Sequence, residues 1–365
     1  MGKKKSRAVV LEGPRKMSLK EYDIPDIGDD DGLLKVDMVG VCGGDPGIYA
    51  GTKGRAERPY PIIMGHEMIG TIETIGKDAA KRHGVKEGDR AIVEFSIGCG
   101  QCYQCTTGRY NLCEKFLSYG SMISCKEPPH LWGGYAEYLY IAPRAKVHKV
   151  SSDLPLEAGV LVSAVLGNAI RWLKIGGISI GDTVVIEGPG QQGLAGVIVA
   201  KEAGASCIIV TGCTHDKSRF DLAREYGANY CVDVQTKDVF ESVKEITKGK
   251  MADIVMDNTG NPQGAINAIN LVKRNGVIVL PGMYGAKKEI PLILDRIVVN
   301  ELKLFGVFSH DITSVIPAIA LVESRKYNLE KMVTHKYTLE EAEKAVQTVG
   351  QEIKQENLIK AVIIP

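Results

Sequence analysis

Four cysteines, Cys99, Cys102, Cys105 and Cys113, stand in the spacing C-x2-C-x2-C-x7-C within a stretch rich in Gly, Gln, Thr and Asn. Four thiolates so placed can close a tetrahedral shell around zinc, and a closed shell leaves no position for substrate, so the pattern predicts a structural site. An iron–sulfur cluster is the rival, but the proline that follows the fourth cysteine of that pattern is replaced here by Glu114. The other cysteines outside this loop, Cys125, Cys207, Cys213 and Cys231, read as packing residues. The ninth, Cys42, pairs by spacing alone only weakly with His66 as a second metal set.

A different chemistry is carried by Gly188-Pro189-Gly190-Gln191-Gln192-Gly193, a G-x-G-x-x-G turn entered from the apolar run 183–186. Gly188 permits a tight bend, Gly190 lets backbone approach a phosphate, and Gly193 lets the next helix pack against the strand. With Gln191 and Gln192 opening that helix, its unpaired N–H groups face the anion, so the turn is expected to hold a pyrophosphate. Leu194, Val197 and Ile198 fall at helical spacing, and Gly204 marks the expected stop.

These residues require two kinds of scaffold. Up to about residue 150 the segments are short and alternating, at 33–39, 70–75, 90–93 and 135–141, which suggests a mostly β domain with long functional loops. From about residue 151 apolar strands alternate with helical patterns: 183–186, 208–211, 230–232, 254–257, 277–280 and 302–308. Such alternation signals a parallel, doubly wound sheet with crossover helices. Helical stretches at 312–324 and 339–349 follow. A last strand at 359–364 has no neighbouring partner and is placed back in the first domain.

The totals narrow the function class. The 365 residues allow two domains, and a net charge of +1 argues against nucleic acid or an anionic membrane as the main partner. No apolar run is expected to reach the ~18 residues that span a bilayer. Met1-Gly2-Lys3-Lys4-Lys5-Ser6 matches a lipid-attachment pattern, but the strand-like run 7–11 that follows makes it a solvated basic end. With no secretory signal and nine cysteines the expected compartment is the cytosol.

Val41-Cys42-Gly43-Gly44-Asp45, Ile48-Tyr49-Ala50-Gly51, Gly65-His66-Glu67, the cysteine loop, the glycine turn and Lys360-Ala361-Val362 appear together and in order. The chain as a whole resembles the zinc-dependent medium-chain alcohol dehydrogenases, nearest their polyol and threonine dehydrogenase branches. The resemblance implies an α/β protein: a discontinuous GroES-like β catalytic domain, 1–151 with 302–365, around a Rossmann doubly wound parallel sheet, 152–301. It implies an NAD(P)-dependent oxidoreductase that passes a hydride between cofactor and a small secondary alcohol or ketone, working as a homodimer or homotetramer. It also implies a catalytic zinc held by Cys42 and His66, with Glu67 as a nearby or exchangeable ligand and Asp45 orienting the histidine.

Three positions depart from the family. Gly44 stands where a hydroxyl takes the alcohol proton, Gly47 where many members carry the outer histidine of the relay, and Ala164 where a glutamate is the third ligand. Three outcomes stay open: zinc bound through Cys42, His66 and Glu67 with water, a zinc-free reductase, or a site for other chemistry such as a non-redox lyase. A protein that binds nucleotide without catalysis is the alternative from another class.

At the adenosine end, the second strand of the sheet finishes at Gly212 instead of an acid, followed by Thr214, His215, Asp216, Lys217 and Arg219. Loss of the acid and gain of cations favours NADP, with NAD as the alternative, for which Asp216 would take the ribose diol. Thr259 and Gly282, in turns after later strands, are candidate contacts for the nicotinamide half. Tyr119, His130 and Trp132 are candidates to face substrate, with His130 a replacement proton carrier.

Overall fold

In a computed structural model, six parallel strands run in the order Tyr230–Asp233, Cys207–Gly212, Thr183–Glu187, Ala252–Asp257, Val272–Leu280 and Lys303–Gly306. By position in the chain this is the order 3-2-1-4-5-6, that of the doubly wound dinucleotide-binding fold, and the expected α/β class with its parallel sheet is what the chain forms. The structure describes residues 4–52, 57–284 and 289–365. Residues Met1 to Lys3 of the lipid-attachment pattern lie outside the described residues. Two compact units are present, one of residues 1–164 and 318–365, the other of 165–317.

In the second unit the strands are nearly continuous runs of Val and Ile because helices cover both faces; Val184, Val185, Ile186, Ile208, Ile209 and Val210 are fully buried. The helix Gln191–Glu202 follows the first strand directly, and at Gly196 a Cβ would require Met256 Cε, 2.3 Å away, to shift. The helix Lys217–Tyr226 stops at Gly227, whose φ of +116° suits only glycine.

The first unit is mostly antiparallel. Its larger sheet orders Val333–Thr338, Lys360–Ile364, Gly32–Gly40, Glu67–Ile75, Arg90–Val93 and Val147–Lys149, with Tyr138–Ile141 also paired to Gly32–Gly40. The C-terminal strand pairs Val362 with Gly40 and Ile363 with Val39, so the last residues of the chain lie beside the segment that leads into Cys42. A smaller sheet joins Lys5–Gly13 to Lys16–Asp23 and Ile62–Ile63.

One expectation is corrected. Leu156–Gly159, a turn at Val160 and Leu161, the π-helical turn Val162–Gly167 and the helix Asn168–Ile175 together make a 20-residue stretch long and apolar enough by composition to cross a bilayer. It is 72% buried, as a core helix is, and Ala164 lies in its π-helical turn Val162–Gly167. The sequence hid its length because Gly159, Ser163 and Gly167 interrupt the apolar run.

Candidate functional site

The strand Gly32–Gly40 delivers Cys42, and the strand Glu67–Ile75 begins at the residue after His66. Because Gly40 and Glu67 are directly paired in the ladder, Cys42, His66 and Glu67 converge: one ligand atom from each lies within 4.8 Å of the other two. Gly65, at φ +85°, has no room for a Cβ, which would meet the Tyr135 ring at 2.4 Å, so the turn before His66 requires glycine.

The acids of this centre are wholly buried. Asp45 accepts the Cys42 backbone N–H at 2.9 Å and the Tyr135 hydroxyl at 2.8 Å, and its other oxygen faces His66 Nδ1 at 3.5 Å. Glu67 is ion-paired through Oε2 to Lys360, which is equally buried and also donates to the Val41 carbonyl at 3.1 Å. Glu67 Oε1 has no hydrogen-bond partner. Burial opposes a charged His66, yet Asp45, Cys42 and Glu67 outweigh it and push the imidazole up to about 10. The centre thus prefers a cation, and an orphaned buried carboxylate oxygen beside a thiol and an imidazole fits a zinc ion.

Gly44 and Gly47 follow Cys42 in the chain. A Cβ on Gly44 would come no closer than 3.9 Å to Cys42 Sγ, and one on Gly47 no closer than 3.9 Å to Thr52, so neither glycine is forced by crowding. Ala164 is buried and offers no ligand atom.

The four-cysteine loop collects its sulfurs around one point, all within 4.8 Å of one another. Cys99 and Cys105 sulfurs are 3.9 Å apart and those of Cys102 and Cys113 4.0 Å. Four Zn–S bonds of ~2.3 Å require tetrahedral edges of ~3.8 Å, so the set fits zinc as it stands. The backbone N–H groups of Gln101 and Cys102 pull Cys99 down to about 6, while burial pushes Cys105 up to about 12. Without a dication the four cannot all be thiolates.

In the second unit Gly188 has φ +86°, Gly190 has open space where its Cβ would be, and a Cβ on Gly193 would collide with the Gly188 carbonyl. The helix starts at Gln191, next to Gln192, and Gln191 Oε1 is buried without a partner. Gly212 leaves no space for the usual acid, since its Cβ would lie 2.8 Å from Pro189 Cδ and 3.0 Å from Asp216 Oδ2. Asp216 turns inward, accepting the Cys213 N–H at 2.9 Å and Arg219 Nη1 at 2.7 Å, so the alternative in which it reaches outward to a ribose is not the conformation present. His215 and Lys217 are exposed. Asp233, missed in the sequence, stands beside Gly212 in the ladder and takes the Thr214 hydroxyl at 2.7 Å. Thr259 and Gly282 come together through Gly260, whose N is 3.0 Å from where a Gly282 Cβ would be.

The three substrate-facing candidates are built into the packing instead. Tyr119 is fully buried and accepts the Ala142 N–H at 2.9 Å; Trp132 stacks on Tyr119 and meets Tyr140 edge-on at 5.1 Å. His130 lies over Tyr22 with Nδ1 2.9 Å from the Cys125 carbonyl oxygen, contacts that fix the direction of the ring. Lys360 and Tyr135, the partners of Glu67 and Asp45, were not singled out in the sequence; the Lys360-Ala361-Val362 ending was the one available signal.

Residues 28–152 match the alcohol dehydrogenase GroES-like domain model and residues 193–324 the zinc-binding dehydrogenase model. A Mycobacterium tuberculosis protein named "probable alcohol dehydrogenase" is 37% identical, with 95% of each chain covered. The sorbitol dehydrogenase of Halalkalibacterium halodurans is 32% identical over 94% of this chain and 95% of its own. Among solved structures, a Sinorhizobium meliloti protein of the zinc-binding dehydrogenase type, bound to NADP, superposes with a TM-score of 0.88 at 26% identity, covering 100% of both chains.

Proposed function

The chain belongs to the zinc-dependent medium-chain alcohol dehydrogenases, and on that footing we propose that it oxidises a secondary alcohol to a ketone, or runs the reverse, by hydride transfer with NADP or NAD. The observation that carries the proposal is the convergence of Cys42, His66 and the orphaned Glu67 Oε1 in a chain that also bears an unobstructed G-x-G-x-x-G turn at a helix start. Cys42, His66 and Glu67 would hold the catalytic zinc; Cys99, Cys102, Cys105 and Cys113 the structural one. When bound, the catalytic ion supplies Lewis acidity that lowers the pKa of an alcohol oxygen.

The remaining work belongs to this chain's residues. Asp45 holds the His66 ring, and Tyr135 and the Cys42 N–H hold Asp45. Lys360 keeps one Glu67 oxygen occupied and leaves the other for the ion. Gly188, Gly190 and Gly193 admit the pyrophosphate to the helix N-terminus. With Gly44 and Gly47 lacking side chains, the alcohol proton passes to water. The unit 1–164 with 318–365 is the catalytic domain in this scheme, and 165–317 binds the cofactor.

His215 and Lys217, exposed beside Gly212, and the lack of room for an acid there favour NADP, as does the NADP bound to the Sinorhizobium protein. Ile293, Leu294, Val298 and Val299 are 64–73% exposed, an apolar patch that supports a homo-oligomer. All nine cysteines are free, which suits a reducing cytosol.

The test is a panel of polyols, cyclic and open-chain secondary alcohols and their ketones, offered with each nicotinamide cofactor while the reduced-nicotinamide absorbance is followed and bound metal is measured. Turnover with about two zinc per chain supports the scheme. Turnover with about one would favour the zinc-free reductase, and cofactor binding without turnover on any member of the panel would sink the assignment.

A further inference from the structure

Glu187 and Asp257 end the two central strands of the parallel sheet and sit opposite each other in the ladder. Glu187 is 2% exposed and Asp257 0%, so two buried carboxyl groups stand side by side at the entry to the glycine turn that starts at the next residue, Gly188. Two adjacent buried carboxylates cannot both ionise cheaply.

Their partners differ. Asp257 accepts three donors: the Thr259 N–H at 2.8 Å, the Thr259 hydroxyl at 2.6 Å and the Tyr284 hydroxyl at 2.8 Å. Gly264 makes the space, because a Cβ there would lie 2.7 and 2.8 Å from the two Asp257 oxygens. Glu187 is reached by the Asn267 amide, and its Oε2 has no partner. Three donors define the ionised member, and an unpartnered oxygen suits a protonated one.

Asp257 thereby ties together three turns. A Cβ on Gly188 would meet Thr259 Cγ2 at 3.2 Å, one on Gly260 would meet the Met283 carbonyl at 3.0 Å, and Tyr284 closes the third turn onto the carboxylate. We propose that Glu187 is a positioning residue for the dinucleotide: protonated beside ionised Asp257 it lets this joint hold the three turns, and its ionisation places a second buried anion under the pyrophosphate and expels the cofactor.

Among the described residues, the surroundings offer no compensating cation. Helix Pro262–Leu271 contributes Gly264 and Asn267 and has no charged residue. The first turns of Gln191–Glu202 are equally uncharged, the facing residue on Cys207–Gly212 is Thr211, and the described part of the third turn, 281–284, brings Tyr284 as its one titratable group. Burial, with Asp257 second, accordingly pushes Glu187 well above the usual carboxylate range, and burial and Asp257 keep Tyr284 protonated.

The inference rests on dinucleotide binding by this unit, and the experiment separates the two. NADPH and NADH are titrated into wild type and Glu187→Gln from about pH 6 to about pH 10, followed by nicotinamide fluorescence. Wild-type affinity is expected to fall as pH rises through the Glu187 titration, by about tenfold per pH unit for one linked proton. Glu187→Gln, neutral at every pH, keeps the wild-type affinity at neutral pH and loses the dependence. A merely structural Glu187 would leave the two curves parallel, and that result overturns the proposal. Should the variant not fold, the infrared band of a protonated carboxyl in unliganded Asp45→Asn protein, which lacks the other carboxyl that burial pushes up, provides the second measurement: it must vanish over the pH range in which wild-type affinity falls. A band that persists, or is absent at neutral pH, overturns the proposal. If neither nucleotide binds at any pH, dinucleotide binding itself fails, and the band still shows whether Glu187 holds its proton.

Discussion

The cysteine lobe and the Cys42 centre both gather metal ligands in the first unit, and they balance charge in opposite ways. In the lobe four sulfurs crowd one another until a dication arrives; backbone N–H groups reach two of them, and Lys146, near enough to feel Cys105 and Cys113, is held by the Ile97 and Arg144 carbonyls. In the Cys42 centre the protein brings its own cation: Lys360 neutralises one oxygen of Glu67, and Tyr135 and a backbone N–H attend to Asp45. The lobe therefore depends on metal for its shape, whereas the Cys42 centre is organised by the chain before any ion binds. Removal of one ligand or one partner from each side tests that contrast.

The largest effect is expected in the lobe. Cys113, 1% exposed and accepting the Cys99 N–H, has no substitute. Cys113→Ser should lower bound zinc by about one equivalent per chain and destabilise the fold by several kcal/mol, on the order of a lost structural metal. Metal analysis and thermal unfolding of purified protein check this. An unchanged zinc content and midpoint would mean that the four sulfurs are packing residues.

Next in size is the pair that has no counterpart in the lobe. In zinc-free protein Lys360→Met leaves Glu67 buried without its ion-pair partner, which should cost about 3–5 kcal/mol in urea unfolding. Adding Glu67→Gln to Lys360→Met should recover most of that loss, since the stranded charge is then gone. Exposed pairs such as Lys4 with Glu73 contribute ~0–1 kcal/mol. If Lys360→Met costs no more than such a pair, Lys360 does not organise the centre, and the contrast with the lobe disappears.

The same contrast explains what could be read in the sequence. The cysteine quartet and the strand–turn–helix around Gly188 are local patterns, complete within about twenty residues, and their geometry follows from spacing. The parallel sheet was legible too, because each buried strand is a short run of Val and Ile between turn residues. Lys360 and Glu67 are 293 positions apart and Tyr135 and Asp45 90 apart, so no window contains either pair. Glu187 and Asp257 meet only through strand order. Tyr119, His130 and Trp132 were assigned by loop position, but side-chain direction there is set by the ring stack of Tyr119, Trp132 and Tyr140 and by Tyr22 under His130. Asp216 looked like a free acid, whereas a helix start captured it as a cap for Cys213.

The smallest effect on stability, and the sharpest distinction within the Cys42 centre itself, concerns its glycines. Gly40 is there because a side chain would strike Glu67 and Lys360, and Gly65 because its φ is +85° and Tyr135 fills the space. Gly44 meets neither condition: its φ is −84° and the nearest atom to a Cβ is Cys42 Sγ at 3.9 Å. Its missing hydroxyl is a feature of the chemistry and not of the packing. Gly44→Ser should therefore leave unfolding within about 0.5 kcal/mol of wild type. With a hydroxyl placed two residues from Cys42, turnover should rise about tenfold, short of the ~10²-fold or more of a complete proton carrier because Gly47 still leaves the onward path to water alone. The gain should be greatest at low pH, where hydroxide in solution contributes least to removing the alcohol proton. Steady-state rates across pH for the two proteins, read with their unfolding curves, settle the point. A stable Gly44→Ser protein with an unaltered rate at every pH would show that proton loss does not limit this enzyme, and that the open space at Gly44 serves the shape of its substrate instead.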